Sequence, residues 1–193
     1  MATIQEVKLI SKKTLMKFTQ INDSLDENLI SAATYVAQDM HLEQYLGTSL
    51  INRLKDDVND WSGIYDVLMS DYIPKVLSWW TLYHLYPMMY IKHDNGGLYK
   101  RTAEDVETIT DTEMSNLKNE AKSKAESYTQ RLIDFLCANS GDIPEYNDNV
   151  WPNKFPKTNS FLNTQIFTSS MSATSRTSNP RFDPQLIQRG TNG

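Results

Sequence analysis

The amino-acid sequence predicts a mainly α-helical fold, a small bundle of about four helices with an extended C-terminal arm that contains short β-like segments. Three observations predict it: apolar residues recur at helical spacing, capping and turn residues separate the helical segments, and the composition changes after Pro144. A chain of 193 residues is long enough for one domain with its own core. We expect an extended lead-in over residues 1–22, a helical bundle over 23–144 and an arm over 145–193.

The first helix is expected to begin behind Asp23 or Ser24, because either side chain can cap the first turn. Its predicted apolar stripe follows steps of four, three and four residues and consists of Leu29, Ala33, Val36 and Met40, with Ile30 and Ala37 beside it. Gly47 ends this pattern where a left-handed cap would lie, and Thr48 or Ser49 could cap a second, short helix over residues 48–58. Gly47 is therefore predicted to be a structural corner between two helices.

The third helix, over about residues 72–93, is apolar on almost every side. A helix of this kind must be covered all round, which is difficult in a four-helix body. Trp and Tyr are also favoured anchors at protein interfaces. We expect part of this helix to form a subunit contact, through Trp79, Trp80, Tyr83, Tyr86 and Tyr90. A central core helix is the alternative interpretation.

The fourth helix opens with "TDTE", a capping box from Thr110 to Glu113. A narrow apolar seam follows and reaches Phe135, and Gly141 and Pro144 end the helix.

The C-terminal arm, residues 145–193, is rich in Asn, Ser, Thr and Pro, and "SFLNTQIFTSS" is its only strand-like piece. Such a segment has too little apolar surface to order itself. We expect it either to be disordered or to fold against a neighbouring protein. The second case would use its large apolar residues, Phe161, Leu162, Ile166, Phe167, Phe182 and Leu186.

The sequence carries no catalytic signature that we recognise: no Gly-rich phosphate loop, no G-x-S-x-G elbow and no HExxH motif. His84 and His93 are nine residues apart and would lie on opposite faces of one helix, so they cannot share a metal there. A lone histidine in an aromatic helix is more often a packed or interface residue than a metal ligand, and Cys137 is expected to be a small buried hydrophobe. We therefore expect no enzyme activity, no catalytic residue, no cofactor and no metal.

The net charge of −5 gives no electrostatic reason to expect nucleic-acid binding. The most apolar run, residues 76–91, falls short of the ~20 residues that a membrane-spanning helix needs. A nucleic-acid-binding regulator and a membrane protein are both disfavoured.

Three segments resemble the head–tail connector, or adaptor, proteins of tailed bacteriophages, most closely those of crAss-like and related phages of Bacteroidota hosts. The segments are "ISKKTLMKFTQINDSLDENLI", "AQDMHLEQYLGTSLINRL" and "RLIDFLCANSGDIPEY", and the likeness spans about residues 9–148. It implies a virion protein, made in the host cytoplasm, that forms a homo-oligomeric ring, usually of twelve copies, beneath the portal protein. Such a ring extends the DNA channel without binding DNA specifically and docks the next connector or tail protein. The C-terminal segment would reach the portal or a neighbouring subunit.

The residues agree with this expectation in three ways. An acidic body would repel the phosphates of DNA that slides through a channel. A ring needs two different contact surfaces, which the aromatic helix and the arm could supply. The corner at Gly47 could fix a wedge-shaped subunit. A stopper or tail-completion ring further down the connector, and a non-viral helical module that binds a partner helix in an apolar groove, remain alternatives.

Overall fold

The structure is a computed structural model that describes residues 7–56, 60–94, 97–100, 109–147 and 156–157. The chain divides into two units, residues 1–160 and 161–193, and all of the described residues belong to the first. That part is mainly helical, which confirms the predicted fold class. The β-like segments predicted for the arm lie outside the described residues.

Helices, two π-helical turns and one hairpin make up the described part of the chain. Their order is α1 (Lys12–Phe18), α2 (Glu27–Ala37), a π turn (Gln38–Leu42), α3 (Glu43–Leu46), α4 (Thr48–Asp56), α5 (Ile64–Val67), a second π turn (Leu68–Tyr72), α6 (Ile73–Tyr90), β1 (Ile91–Asp94), β2 (Gly97–Lys100), α7 (Asp111–Ala138) and α8 (Pro144–Asn147). No helix in these ranges is both long enough and apolar enough to cross a membrane.

The N-terminal lead-in contains a helix, α1, where an extended segment with one short turn was predicted. Ser11 starts it, because its side chain accepts a hydrogen bond from the backbone N–H of Thr14 at 3.2 Å. Leu15 is fully buried, so α1 belongs to the core. Lys12 Nζ donates to the carbonyl oxygens of Asp23 and Leu25, at 2.6 and 2.9 Å, and so holds the connection to α2.

The cap of α2 is Asp26, and the predicted caps Asp23 and Ser24 are wrong. An Asp26 side-chain oxygen accepts a hydrogen bond from the backbone N–H of Asn28 at 2.9 Å. The buried face consists of Ile30, Ala33, Thr34 and Ala37. Ala33 of the predicted stripe and its two predicted neighbours, Ile30 and Ala37, are therefore confirmed as buried, whereas the rest of the stripe is not fully buried.

The first π turn explains why the last residue of the predicted α2 stripe does not face the core. Met40 was predicted to face the core, but 58 % of it is exposed. A π turn places one more residue in a helical turn than an α-helix does, so the residues that follow rotate relative to α2. Leu42, Tyr45 and Leu46 face the core as a result.

Helix α6 is the central element, packed against α1, α2 and α7. Helical structure begins earlier than predicted, at Ile64, and passes through the second π turn before α6 starts. It also ends earlier, because the chain turns into β1 after Tyr90. Strands β1 and β2 pair antiparallel, from Ile91 opposite Lys100 to Asp94 opposite Gly97. The sequence predicted a helix to about residue 93 here and did not predict the strands.

Helix α7 agrees closely with the prediction. The capping box is confirmed, since the Thr110 side chain accepts from the Glu113 backbone and the Glu113 carboxylate accepts from the Thr110 backbone. The predicted seam is confirmed in part: Ala121, Ala125 and Leu132 are buried. Its members Met114, Tyr128 and Phe135 are half-buried, and Leu117, also predicted in the seam, is exposed.

Candidate functional site: an aromatic helix, an apolar groove and a histidine pair

Trp80, one of the five aromatic residues predicted at a subunit contact, lies in the core. Only 4 % of it is exposed, and its Nε1 donates a hydrogen bond to Thr129 Oγ1 of α7 at 3.1 Å. Its ring also stacks on the imidazole of His41, with ring centroids 3.7 Å apart. The prediction that Trp80 offers contact surface is wrong, because α7 and the first π turn cover that side of α6.

Trp79 and Tyr83 are half-buried, and lysines of α7 lie over their rings. Lys124 Nζ is 4.5 Å from the Trp79 ring centroid, and Lys118 Nζ is 4.7 Å from the Tyr83 ring centroid. A lysine placed in this way covers apolar ring surface with its methylene stem and gains a cation–π contact. This face of α6 therefore presents less apolar surface than the sequence suggests.

Tyr90 and Tyr86 occupy the other end of α6. Tyr90 Oη donates a hydrogen bond of 2.5 Å to Asp111 Oδ1, which ties the end of α6 to the start of α7. Tyr86 is half-buried, and burial together with the nearby Glu120 carboxylate raises the pKa of its phenol. The predicted role of these two residues in a subunit contact stays a prediction.

An open apolar groove lies beside Tyr86, between the α1–α2 connection, α6 and the first turns of α7. Its volume is about 320 Å³. Leu117, at its edge, is 36 % exposed. The lining residues are Gln20, Ile21, Asn22, Leu25, Leu82, Tyr86, Met89 and Leu117, none of which carries a charge. The sequence did not predict this groove, because its walls come from three separate segments.

His41 and His84 form a close pair on the opposite side of α6. Their Nε2 atoms are 2.9 Å apart, and their ring centroids are 5.0 Å apart. One ring must carry the proton on Nε2 while the other accepts, so the two imidazoles hold complementary tautomers. The pair joins the first π turn to α6.

The surroundings of the pair favour neutral imidazoles. Burial, followed by the nearby His84 and Lys122, together lower the pKa of His41 from 6.5 to about 4. Burial and the Lys118 ammonium also lower the pKa of His84. Two lysines beside two imidazoles also disfavour a metal cation. Among the residues that the structure describes, no group of three or more His, Cys, Asp or Glu side chains could hold a metal ion.

Gly47 forms the predicted corner. Its φ of 78° and ψ of 161° lie in a region that essentially only glycine adopts. Its N–H donates to the Glu43 carbonyl at 2.8 Å, and its own carbonyl accepts from the Ile51 N–H at 3.2 Å. Gly47 therefore ends α3 and starts α4 by itself. The predicted caps are wrong, since Thr48 is already helical and its Oγ1 donates to Glu43 Oε1 at 3.2 Å.

The six apolar residues predicted to make arm contacts, from Phe161 to Leu186, lie outside the described residues. The prediction that the arm is extended from residue 145 is wrong at its start, because α8 covers Pro144–Asn147 and Tyr146 is buried. Further along, the backbone N–H of Lys157 donates to the Gln44 carbonyl at 2.9 Å, and Lys157 Nζ donates to Gln44 Oε1 at 3.0 Å. Lys157 therefore lies beside α3.

Cys137 is exposed, and the prediction of a buried small hydrophobe is wrong. It lies on the outer face of α7, and its Sγ is 3.9 Å from Tyr146 Oη. Burial and the nearby Cys137 raise the pKa of Tyr146 to about 12.

Comparison with known proteins places the chain in a family. No curated protein and no solved structure matches it. The sequence profile of one family, described as a family of unknown function (DUF6712), matches residues 42–155, which is more than half of the chain. The matched stretch includes the Gly47 corner, the aromatic helix α6 and the whole of α7. The chain belongs to the DUF6712 family.

Proposed function

We propose that this protein is a structural subunit of the head–tail connector of a tailed bacteriophage. In this proposal twelve copies form a ring beneath the portal, extend the DNA channel and join the head to the tail. The ring needs no catalytic residue, cofactor or metal, and DNA passes through it without specific binding. The protein would be made in the host cytoplasm and would act in the virion.

The observation that carries the proposal is the resemblance of three segments, in the same order, to connector proteins over residues 9–148. The small helical unit agrees with the helical bundle that this resemblance implies. The family match covers residues 42–155, and almost all of these lie within the resembling stretch, residues 9–148. The match therefore supports that part of the chain as a unit.

The described surface supports association in a second way. A ring is built from heterologous contacts, so each subunit needs two different surfaces. The apolar groove is one candidate, and the surface at Lys157 and Gln44 is another. Large apolar side chains are also exposed elsewhere on the described part: Met40, Val67 and Ile109.

Two other functions are compatible with parts of this description. A stopper or tail-completion ring would use the same kinds of surface but contact a different neighbour. A non-viral helical module would use the open groove to bind a partner helix, and it would be monomeric without that partner. The identity of the protein that co-purifies with this chain would distinguish these two functions from the proposed one.

The test is the native mass of the full chain, alone and mixed with the portal protein from the same genome. The proposal expects a complex in which one portal ring gains about twelve chains of 22.2 kDa each. A chain that stays monomeric and leaves the portal mass unchanged would contradict the connector function. A ring that binds a tail protein but not the portal would favour the stopper function instead.

A further inference from the structure

We propose that a pocket beside the second π turn binds a carboxylate that is carried on a short apolar or aromatic body. The pocket lies between the second π turn, the start of α6 and α7, and its volume is about 240 Å³. Its lining residues are Val67, Asp71, Tyr72, Lys75, Tyr128 and Arg131. The inference goes beyond the proposed function and does not depend on it.

The charged side chains of the pocket favour a ligand with one negative charge. Lys75 and Arg131 contribute two positive charges and Asp71 contributes one negative charge, so the lining has a net charge of +1. A monoanion neutralises this charge. A phosphate dianion would leave an excess negative charge beside the Asp71 carboxylate, and a cation would meet two like charges.

Both cationic side chains have bonding capacity left for a ligand. Lys75 Nζ lies 3.8 Å from Asp71 Oδ1, and the carboxylate of this pair is largely exposed to solvent, so the ion pair is weak. Arg131 forms no ion pair with any residue in the described part of the chain. Its Cζ lies 5.9 Å from the Tyr128 ring centroid, which is a cation–π contact. The planar guanidinium fork matches the two oxygens of a carboxylate.

Two tyrosines supply hydroxyl donors and flat apolar walls. Over the ranges that the structure describes, neither the Tyr72 nor the Tyr128 hydroxyl group is hydrogen-bonded to another residue, so each can donate to a ligand. The Tyr72 ring stacks on Phe135 of α7, with ring centroids 4.2 Å apart, and this contact holds it in place. Val67, which is 41 % exposed, adds an apolar side chain. These surfaces fit the uncharged body of the ligand.

The volume of the pocket limits the size of that body. A closed apolar cavity of about 150 Å³ holds benzene. The larger volume of this pocket, about 240 Å³, has room for a benzene ring with a carboxylate attached. A free organic acid of this size and a glutamate side chain of another protein present the same chemistry.

The backbone at the pocket is also of a kind that is common at functional sites. The second π turn supplies Asp71 and Tyr72 to the lining. Turns of this type are rare in proteins and occur frequently where a protein binds a ligand or performs a reaction. The unusual turn and the unpaired Arg131 guanidinium therefore meet at one pocket.

The experiment is saturation-transfer NMR on the full chain with benzoate as the probe. Benzamide is the matched control ligand, because it has the same shape and no charge. We expect benzoate to bind with a Kd of about 1 mM, an ordinary affinity for a ligand of its size. Benzamide should bind about tenfold more weakly, because it cannot pair with the two cations. Equal binding of the two would overturn the inference.

Three variants test whether the binding occurs in this pocket. Arg131→Gln removes the guanidinium and should weaken benzoate binding about tenfold. Asp71→Asn removes the competing carboxylate and should strengthen benzoate binding about threefold. Lys124→Gln is the matched control, because Lys124 is a cationic residue of α7 that does not line the pocket. Circular dichroism checks that each variant is folded. Benzoate binding that is unchanged in Arg131→Gln would overturn the inference.

A second probe distinguishes the two sources of the carboxylate. A single glutamate blocked by acetyl and amide groups presents the side chain as a protein does. Tighter binding of benzoate would support a free organic acid as the ligand, and tighter binding of the blocked glutamate would support a partner protein. Binding of neither probe below about 10 mM, or tighter binding of inorganic phosphate than of both, would overturn the inference.

Discussion

His41 and His84, 43 residues apart in the sequence, face each other with their Nε2 atoms 2.9 Å apart. The contact fixes the first π turn against α6, and the Trp80 ring stacks on the His41 imidazole. Both imidazoles are half-buried and lie near Lys118 and Lys122, so neither is expected to be a positively charged imidazolium at neutral pH.

The histidine pair predicts that stability decreases as the pH falls. The pKa of His41 is about 4 in the folded chain against 6.5 when unfolded, and that of His84 is also lowered. The unfolded chain therefore binds more protons below pH 6.5, so stability is present above pH 6.5 and is lost progressively down to about pH 4. Allowing for partial exposure, we expect a loss of about 1–2 kcal/mol.

Urea unfolding at several pH values measures this effect. Carboxylates titrate over part of the same range, so the comparison is with the His41→Asn, His84→Asn double variant. The double variant should lose less stability between pH 7 and pH 4.5 than the natural sequence does. Equal losses in the two proteins would contradict the proposed role of the pair.

The hydrogen bond from Trp80 to Thr129 predicts a core role for Trp80. Trp80→Phe removes the Nε1 donor and leaves a cavity, so the free energy of unfolding should fall by about 1–3 kcal/mol. Trp79→Phe is the matched control, because Trp79 is half-buried and its contact is the Lys124 cation–π pair. Circular dichroism in urea gives both values, and a larger loss for Trp79→Phe would refute the assignment.

The backbone at Gly47 predicts sensitivity to any side chain. Gly47→Val forces a β-branched residue into a glycine-only region, so the free energy of unfolding should fall by about 1–3 kcal/mol. Gly141→Ala is the control, because a Cβ there meets nothing within 4 Å and we expect little change. The Gly47→Val protein should also fail to form normal rings; if its rings are normal, the wedge hypothesis is wrong.

Removal of residues 158–193, most of the arm, is expected to weaken docking without affecting folding. A chain that ends at Lys157 keeps the bonds to Gln44 and every helix that the structure describes, so its thermal midpoint should stay within a few degrees. Its affinity for the portal or for other copies should fall at least tenfold. Sedimentation with the portal measures this, and equal docking would exclude the arm as a contact.

Local signals predicted the parts of the fold that depend on neighbouring residues. The capping box at Thr110 set the start of α7, and Gly47 set the break between α3 and α4. Both effects act within four residues, so they can be recognised without knowledge of the packing.

The parts that could not be predicted depend on contacts between distant segments. The π turn shifts the helical phase and turns Met40 outward, and no residue type in "QDMHL" signals it. His41 meets His84 only because that turn packs on α6. The aromatic residues of α6 were correctly placed on a helix, but which of them α7 would cover could not be read from their spacing.

Electron microscopy of the full chain mixed with its portal protein tests the central claim most directly. The account expects class averages with one additional ring of helical subunits, twelve in number, coaxial with the portal and on its tail-facing side. Particles in which the portal is unchanged, with this chain present only as single copies in solution, would contradict it.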